Sequence, residues 1–323
     1  MSSEFDLIAR HFTRPAPTAR LGVGDDAALL GCTPGMELAV SSDMLVAGTH
    51  FLADADPLSL GHKTLAVNLS DMAAMGAVPR WVLLSLSLPE ADDAWLAAFS
   101  QGFFGLAARF GVELVGGDTT RGHLNLCVTI LGEVPAGQAL RRDGARPGDD
   151  IWVSGELGGA ALGLRHLLRD AELDPEAAGA CLARLQRPEP RVPLGLALRG
   201  LASAAIDISD GLLADLGHIL ERSGVAAELD YPSLPAAPAV AARLPAPPVM
   251  ACLLGGGDDY ELCFTVPPGQ AAAVRVAGQA AGVALSRVGR ITAGAGLRLL
   301  DAYGREMALP ARGFDHFGAE HAA

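Results

Sequence analysis

The chain has 323 residues, half of them hydrophobic and 19% charged, which excludes disorder over most of its length and allows two ordinary α/β domains or one large one. Its 37 acidic and 24 basic residues give a formal net charge of −13, a field that repels nucleic-acid backbones and argues against DNA or RNA as a partner. The five cysteines include no CxxC pair, the first residues carry no basic stretch leading into an apolar one, and no uncharged apolar run reaches the roughly 18 residues of a membrane span, so the expectation is a cytoplasmic protein with free thiols, no zinc and no membrane partner.

Apolar β-type runs alternate with Ala/Leu-rich amphipathic stretches, which predicts α/β (α+β-like) architecture. A strand is expected at 37–40, then a helix from about Leu58 to Gly76 with Leu65, Leu69, Met72 and Ala73 on one face. A strand at 81–88 is followed after Asp92 by a second helix. There Leu96, Phe99, Phe103, Leu106 and Phe110 recur at 3–4 spacing and Gly111 supplies a stop. Strands are expected at 112–115 and 124–134. The segment RDGARPGDD (142–150) is dense in turn formers and marks a division into domains 1–138 and 139–323. Strands at 150–154, 204–206 and 262–266 follow. A helix near Asp210 turns Leu212, Leu213, Leu216, Ile219 and Leu220 inward, and the Pro-rich stretch 231–248 reads as a long connection. There is no repeat at solenoid spacing.

The placement of the aspartates carries the chemistry. ELAV runs into Ser41-Ser42-Asp43 and VELV into Gly116-Gly117-Asp118. Asp207-Ile208-Ser209-Asp210 follows another apolar run, Gly255-Gly256-Gly257-Asp258-Asp259 follows ACLL, and Asp25 and Asp26 follow Gly24. Each acid is expected where a strand gives way to a small-residue loop, the usual place for ligands in α/β folds. Any one of them is as readily a turn residue or a cap, Asp210 above all as the N-cap of its helix. Five such clusters go beyond turn chemistry. If they converge, like-charge repulsion raises their pKa values unless cations intervene, and an oxygen-rich, sulfur-free donor set suits Mg²⁺ or Mn²⁺.

Thr64, Asn68 and Asp71 form a polar stripe that either faces the same site or is a solvated helix face. There is no GxxxxGK[ST] loop. Gly22–Ala27 matches GxGxxA formally, but its two aspartates repel a pyrophosphate and no strong strand precedes it, which rejects a dinucleotide site. Gly155-Glu156-Leu157-Gly158-Gly159 is either a phosphate cradle of backbone N–H groups or a tight strand–helix turn. GxSxG and HExxH are absent.

Taken together, GVGDDAALL, SSDMLVAGTHF, NLSDMAAMGAVP, GGDTTRG, IDISDGLLADLGHI, GGDDYELCF and the terminal GFDHF resemble the thiamine-monophosphate kinase family, in that family's order and over nearly the whole chain. The family is related to aminoimidazole ribonucleotide synthetase. The resemblance implies two α/β domains, N-terminal domains paired in a homodimer with ATP near the interface, and ATP-dependent conversion of thiamine monophosphate to thiamine diphosphate, the last step in making that compound. It implies several Mg²⁺ ions per site, with ligands at Asp26, Ser41, Ser42, Asp43, Asp71, Asp118, Asp207 and Asp210. ATP contacts fall at Gly117, Asp118, Arg142 and Ser209, substrate contacts at His50, Asp258 and Ala311, and catalysis on Asp43, Asp71, Asp118 and Arg142.

Two positions depart from the family pattern: Asp258 stands where GGEDYELC has Glu, and Ala311 where many relatives have Trp. A related ribonucleotide synthetase is an alternative with another acceptor. So, from another class, is a non-enzymatic protein that binds divalent cations through acidic loops. The reactive cysteines of selenophosphate synthetases and hydrogenase-maturation relatives have no counterpart at the expected places.

Overall fold

The computed structural model describes residues 4–309; Ala311 and GFDHF lie outside them. Two compact units are present. One comprises the chain to Met72 with Ala77–Gly137, the other Ala73–Gly76 with the chain from Gln138.

In the first unit α1 (Glu4–Leu7) runs into a π-helical turn (Ile8–Phe12). There follow β1 (Met36–Val46), α2 (Pro57–Ala74), β2 (Val78–Leu88), α3 (Asp93–Phe110), β3 (Glu113–Arg121) and β4 (Asn125–Pro135). The sheet order is β1-β4-β2-β3. β4 pairs antiparallel with both neighbours, and β2 and β3 are parallel, which is why a whole helix, α3, has to connect them. Strand alternation sorts the faces: Val82, Leu84, Leu86 and Leu88 of β2 are buried while Ser85 between them is exposed.

Leu65, Leu69 and Met72 of α2 and Phe99 and Phe103 of α3 are almost wholly buried, each contributing about 1.5–3 kcal/mol. The two helices touch at glycines. A Cβ on Gly61 would lie 2.0 Å from the Phe99 carbonyl oxygen, and one on Gly102 would lie 1.9 Å from that of Leu58. α3 begins where the Asp92 side chain accepts from the Ala94 and Trp95 N–H groups, and it stops at left-handed Gly111, as its sequence predicts.

The second unit contains β5 (Asp150–Ser154), α4 (Gly159–Leu167), α5 (Pro175–Gln186), α6 (Val192–Ala197), β6 (Ala204–Ile208), α7 (Leu212–Ser223) and β7 (Ala226–Asp230). α8 (Pro238–Ala241), α9 (Pro247–Gly255), β8 (Glu261–Val266), α10 (Ala271–Ala281), β9 (Leu285–Thr292), β10 (Gly296–Leu300) and β11 (Glu306–Met307) complete it. The sheet order is β11-β10-β7-β9-β5-β8-β6, antiparallel except for the β7–β10 pair. β6 and β8 are buried along their whole length. Leu212, Leu213, Leu216, Ile219 and Leu220 of α7 join Ile206 and Ile208 in the core. Among the described residues no helix is long and apolar enough to cross a membrane.

Three expectations need correction. β7, β9, β10 and β11 were not expected: their segments mix Gly, Ala and charged residues and become strands through their neighbours in the sheet. The Pro-rich stretch is no plain connection, because prolines at the first turn start α8 and α9. Asp43, Asp118 and Asp207 stand inside β1, β3 and β6 rather than in loops after them. β1, β3 and β6 are each at a sheet edge, where Ser, Gly and Asp are tolerated.

Candidate active site

The polar stripe of α2 is not a solvated face. Thr64 and Asn68 are 1% exposed, and Asn68 joins helix to sheet, its Oδ1 accepting from the Asp43 N–H at 3.3 Å and its Nδ2 donating to the Thr64 carbonyl at 3.1 Å. One turn on, Asp71 Oδ2 accepts from Ser41 Oγ at 2.6 Å. α2 and β1 thus bring Ser41, Asp43, Asn68 and Asp71 together. Ser42 is on the other face of β1, with its Oγ 2.9 Å from Thr129 Oγ1. That same face carries exposed Leu38, Val40 and Met44. At the end of β1 the chain turns back, and His50 Nδ1 accepts from the Val46 N–H at 3.0 Å, which fixes the ring with its proton on Nε2.

A second group surrounds a cavity of about 950 Å³ lined by Asp25, Asp26, Ser85, Gly117, Asp118 and Thr129, with Ile8 and Phe12 on its wall. Asp118 is in register with Ser85 of β2. Gly117 is needed where it stands: its φ is 152° and a Cβ would lie 1.9 Å from the Leu84 carbonyl oxygen, so only glycine lets β3 approach β2 here.

In the second unit Asp207 is buried in β6, and Ser209 and Asp210 follow it. Asp210 is not the N-cap of α7. That place is taken by Gly211 (φ 110°), whose absent side chain lets the turn approach Gly255, where a Cβ would come within 2.6 Å. The Asp210 N–H instead donates to Asp215 Oδ2 at 3.0 Å, from the first turn of the helix. Burial, with Asp207 and Asp210 facing it, pushes the Asp215 carboxyl up to about 8. Sequence reasoning missed Asp215; its place five residues after Asp210 in DGLLAD was the available clue. Arg142 is exposed, and its carbonyl accepts from Ser223 Oγ at 2.8 Å.

Gly155–Gly159 resolves as the strand–helix turn. The Gly155 N–H donates to the Ala284 carbonyl (2.9 Å), that of Leu157 to Pro235 (2.7 Å) and that of Gly158 to Asp259 Oδ2 (2.8 Å), so these donors are already engaged within the protein. Desolvation pushes the Asp259 carboxyl well above the usual range. Its neighbour Asp258 has left-handed backbone, with Oδ1 accepting from the Tyr260 hydroxyl at 3.2 Å. Among the described residues no three acidic, His or Cys side chains close on one point as a ready-made metal cage.

Residues 24–134 match the model of the AIR synthase related protein, N-terminal domain, and 146–301 that of its C-terminal domain. The thiamine-monophosphate kinase of Salmonella typhimurium is 47% identical over 97% of this chain and 98% of its own. The crystal structure of thiamine-monophosphate kinase from Stenotrophomonas maltophilia K279a is 49% identical, with a TM-score of 0.83 over 91% of this chain and 94% of that one. AaThiL complexed with AMPPCP and TMP is 31% identical, with a TM-score of 0.76 over 88% and 89%. The chain therefore belongs to the AIR synthase related family, among its thiamine-monophosphate kinases.

Proposed function

We propose that this chain transfers the γ-phosphoryl group of ATP to thiamine monophosphate, forming thiamine diphosphate and ADP. The observation that carries this reading is the 47% identity to a thiamine-monophosphate kinase along 97% of the chain. A phosphate oxygen of thiamine monophosphate attacks the γ-phosphorus in line, and the bond to the β,γ-bridging oxygen breaks, leaving ADP. With a second pKa of about 6 the attacking phosphate is already largely dianionic at neutral pH, so no strong general base is required. The barrier lies in bringing two polyanions together.

The donor chemistry fits magnesium. Ser41, Asp43 and Asp71 on β1 and α2, Ser42 across that strand, Asp26 and Asp118 at the cavity, Asp207 within β6 and Asp210 just after it offer oxygen alone. Burial first, and then the facing carboxylates of Asp207 and Asp210, raise the Asp215 carboxyl, so three acidic side chains stand near one another at the start of α7. Mg²⁺ keeps several water and phosphate ligands, so a site without a complete protein cage suits it. When bound, Mg²⁺ neutralises and orients the phosphate chains. Gly117, Arg142 and Ser209 are assigned to ATP, with Arg142 adding positive charge. His50 and Asp258 are assigned to the acceptor, together with Ala311 outside the described residues.

In this reading residues 1–138 form the ATP- and metal-binding, dimerising domain of a cytoplasmic homodimer, and 139–323 the C-terminal α/β domain. The exposed apolar row Leu38, Val40 and Met44 supports pairing through the first unit's sheet. The test is incubation of the purified protein with ATP, Mg²⁺ and thiamine monophosphate, followed by mass detection. ADP and thiamine diphosphate are expected; release of AMP, or faster reaction with free thiamine, overturns the proposal.

A further inference from the structure

Three non-glycine residues among those described have left-handed backbone, and two of them, Asp258 (φ 68°) and Tyr260 (φ 48°), flank Asp259. Such a pair persists only where its surroundings over-determine it. The Asp258 N–H donates to the Ser209 carbonyl at 2.9 Å and the Tyr260 N–H to that of Ile208 at 2.8 Å, so the main chain on both sides is pinned to the end of β6. Between them, Asp259 Oδ2 accepts from the Gly158 N–H at 2.8 Å, while Oδ1 is shielded from solvent and has no hydrogen-bond partner. Gly158 is the N-cap of α4 and has no side chain with which to cap it. From 101 residues away, Asp259 thus takes up the N–H of the capping residue itself, one of the donors that a helix start leaves without an intrahelical acceptor. The helix start is itself wedged in place, since a Cβ on Gly158 would come within 3.0 Å of the Cys252 and Leu253 backbone of α9.

We infer that Asp259 is a positioning residue for acceptor recognition: by locking 258–260 to the start of α4 it sets the direction of the Asp258 carboxylate. This rests on the proposed assignment of Asp258 to the acceptor. Asp258 and Ser209 share that backbone bond, but the Ser209 side has a second anchor, the Asp210 N–H on Asp215 Oδ2 at 3.0 Å, which does not involve Asp259. Loss of the lock therefore affects the acceptor before the nucleotide.

The test is steady-state kinetics on the full-length protein with Mg²⁺, ATP and thiamine monophosphate. Asp259→Ala is expected to raise the KM for thiamine monophosphate at least about tenfold, with the KM for ATP within about twofold. Asp259→Asn retains an oxygen acceptor for the Gly158 N–H and is expected to stay within about threefold of the parent in both. If Asp259→Ala yields no folded protein, Asp259→Ser takes its place with the same expectations, its side chain being too short to reach Gly158. A rise of both KM values together with a fall in kcat, or no rescue by Asn, overturns the positioning role in favour of a purely structural one.

Asp258→Asn, which tolerates left-handed backbone, separates the two layers of the argument. If it raises the KM for thiamine monophosphate and Asp259→Ala in that background adds little, the action runs through Asp258. If the effects multiply in full, it does not. If Asp258→Asn leaves that KM unchanged, the assignment of Asp258 to the acceptor fails, whatever Asp259 does.

Discussion

Gly117→Ala tests the link between backbone packing and the proposed site most directly. The new Cβ would stand 1.9 Å from the Leu84 carbonyl oxygen, more than an ångström inside the 3.0 Å that real Cβ atoms respect. The obstacle is main chain of a paired strand, so it cannot rotate away. Alanine would also inherit a φ of 152°. Backbone strain of about 1–3 kcal/mol and overpacking of about 1–3 kcal/mol together predict a loss of about 2–6 kcal/mol. At about 2–4 °C per kcal/mol the melting temperature falls by on the order of 5–20 °C. Relief comes by moving β3 away from β2, which displaces Asp118, and a shift of about one ångström at a phosphoryl-transfer site lowers turnover about a hundredfold.

Gly105→Ala is the control. It sits in the interior of α3 with nothing within 4 Å of the added carbon, and it should stabilise by about 0.5–1 kcal/mol with turnover unchanged. Thermal melting and steady-state kinetics on both variants decide the matter. A Gly117→Ala protein that melts within about 2 °C of the parent and turns over normally would refute the reasoning.

Asp43→Asn, Asp71→Asn and Asp118→Asn should each cut turnover at least about a hundredfold with the fold intact by circular dichroism, and near-normal rates in all three would remove the metal-site assignment. Hydrogen bonding with His11 and Arg10 holds the Asp93 carboxyl below its usual range. Its stabilising contribution is therefore present above the unfolded pKa of about 3.9 and disappears as pH falls through the depressed folded value. Asp93→Asn should melt below the parent at pH 5–7, with the gap closing in strong acid; a gap that widens in acid contradicts the assignment. Val40→Glu places a charge in the exposed apolar row of β1 and should shift sedimentation from dimer to monomer, whereas a monomeric parent would exclude the pairing at the outset.

Helix periodicity carried much of the fold. α2, α3 and α7 could be placed from apolar spacing because one stripe must be buried whatever covers it, and Asp92 and Gly111 act within a single turn of chain. β2, β4, β5 and β8 were equally plain, since their apolar runs stay buried in any sheet. The acidic clusters and the kinase resemblance also stood in the sequence, because they depend on residue type and order.

Tertiary structure alone decided the rest, wherever a residue's role depends on a distant partner. SSD and GGD look like loops until pairing with β4 and β2 extends them as edge strands. The stripe of Thr64, Asn68 and Asp71 is solvated or buried depending on whether β1 lies against it, and the Asp43 N–H on Asn68 settles that. The GELGG segment reads equally as a phosphate cradle or a tight turn until Asp259 is found on Gly158, 101 residues away. Local periodicity is written in neighbouring residues, but the partner of a hydrogen-bond donor is set by the fold.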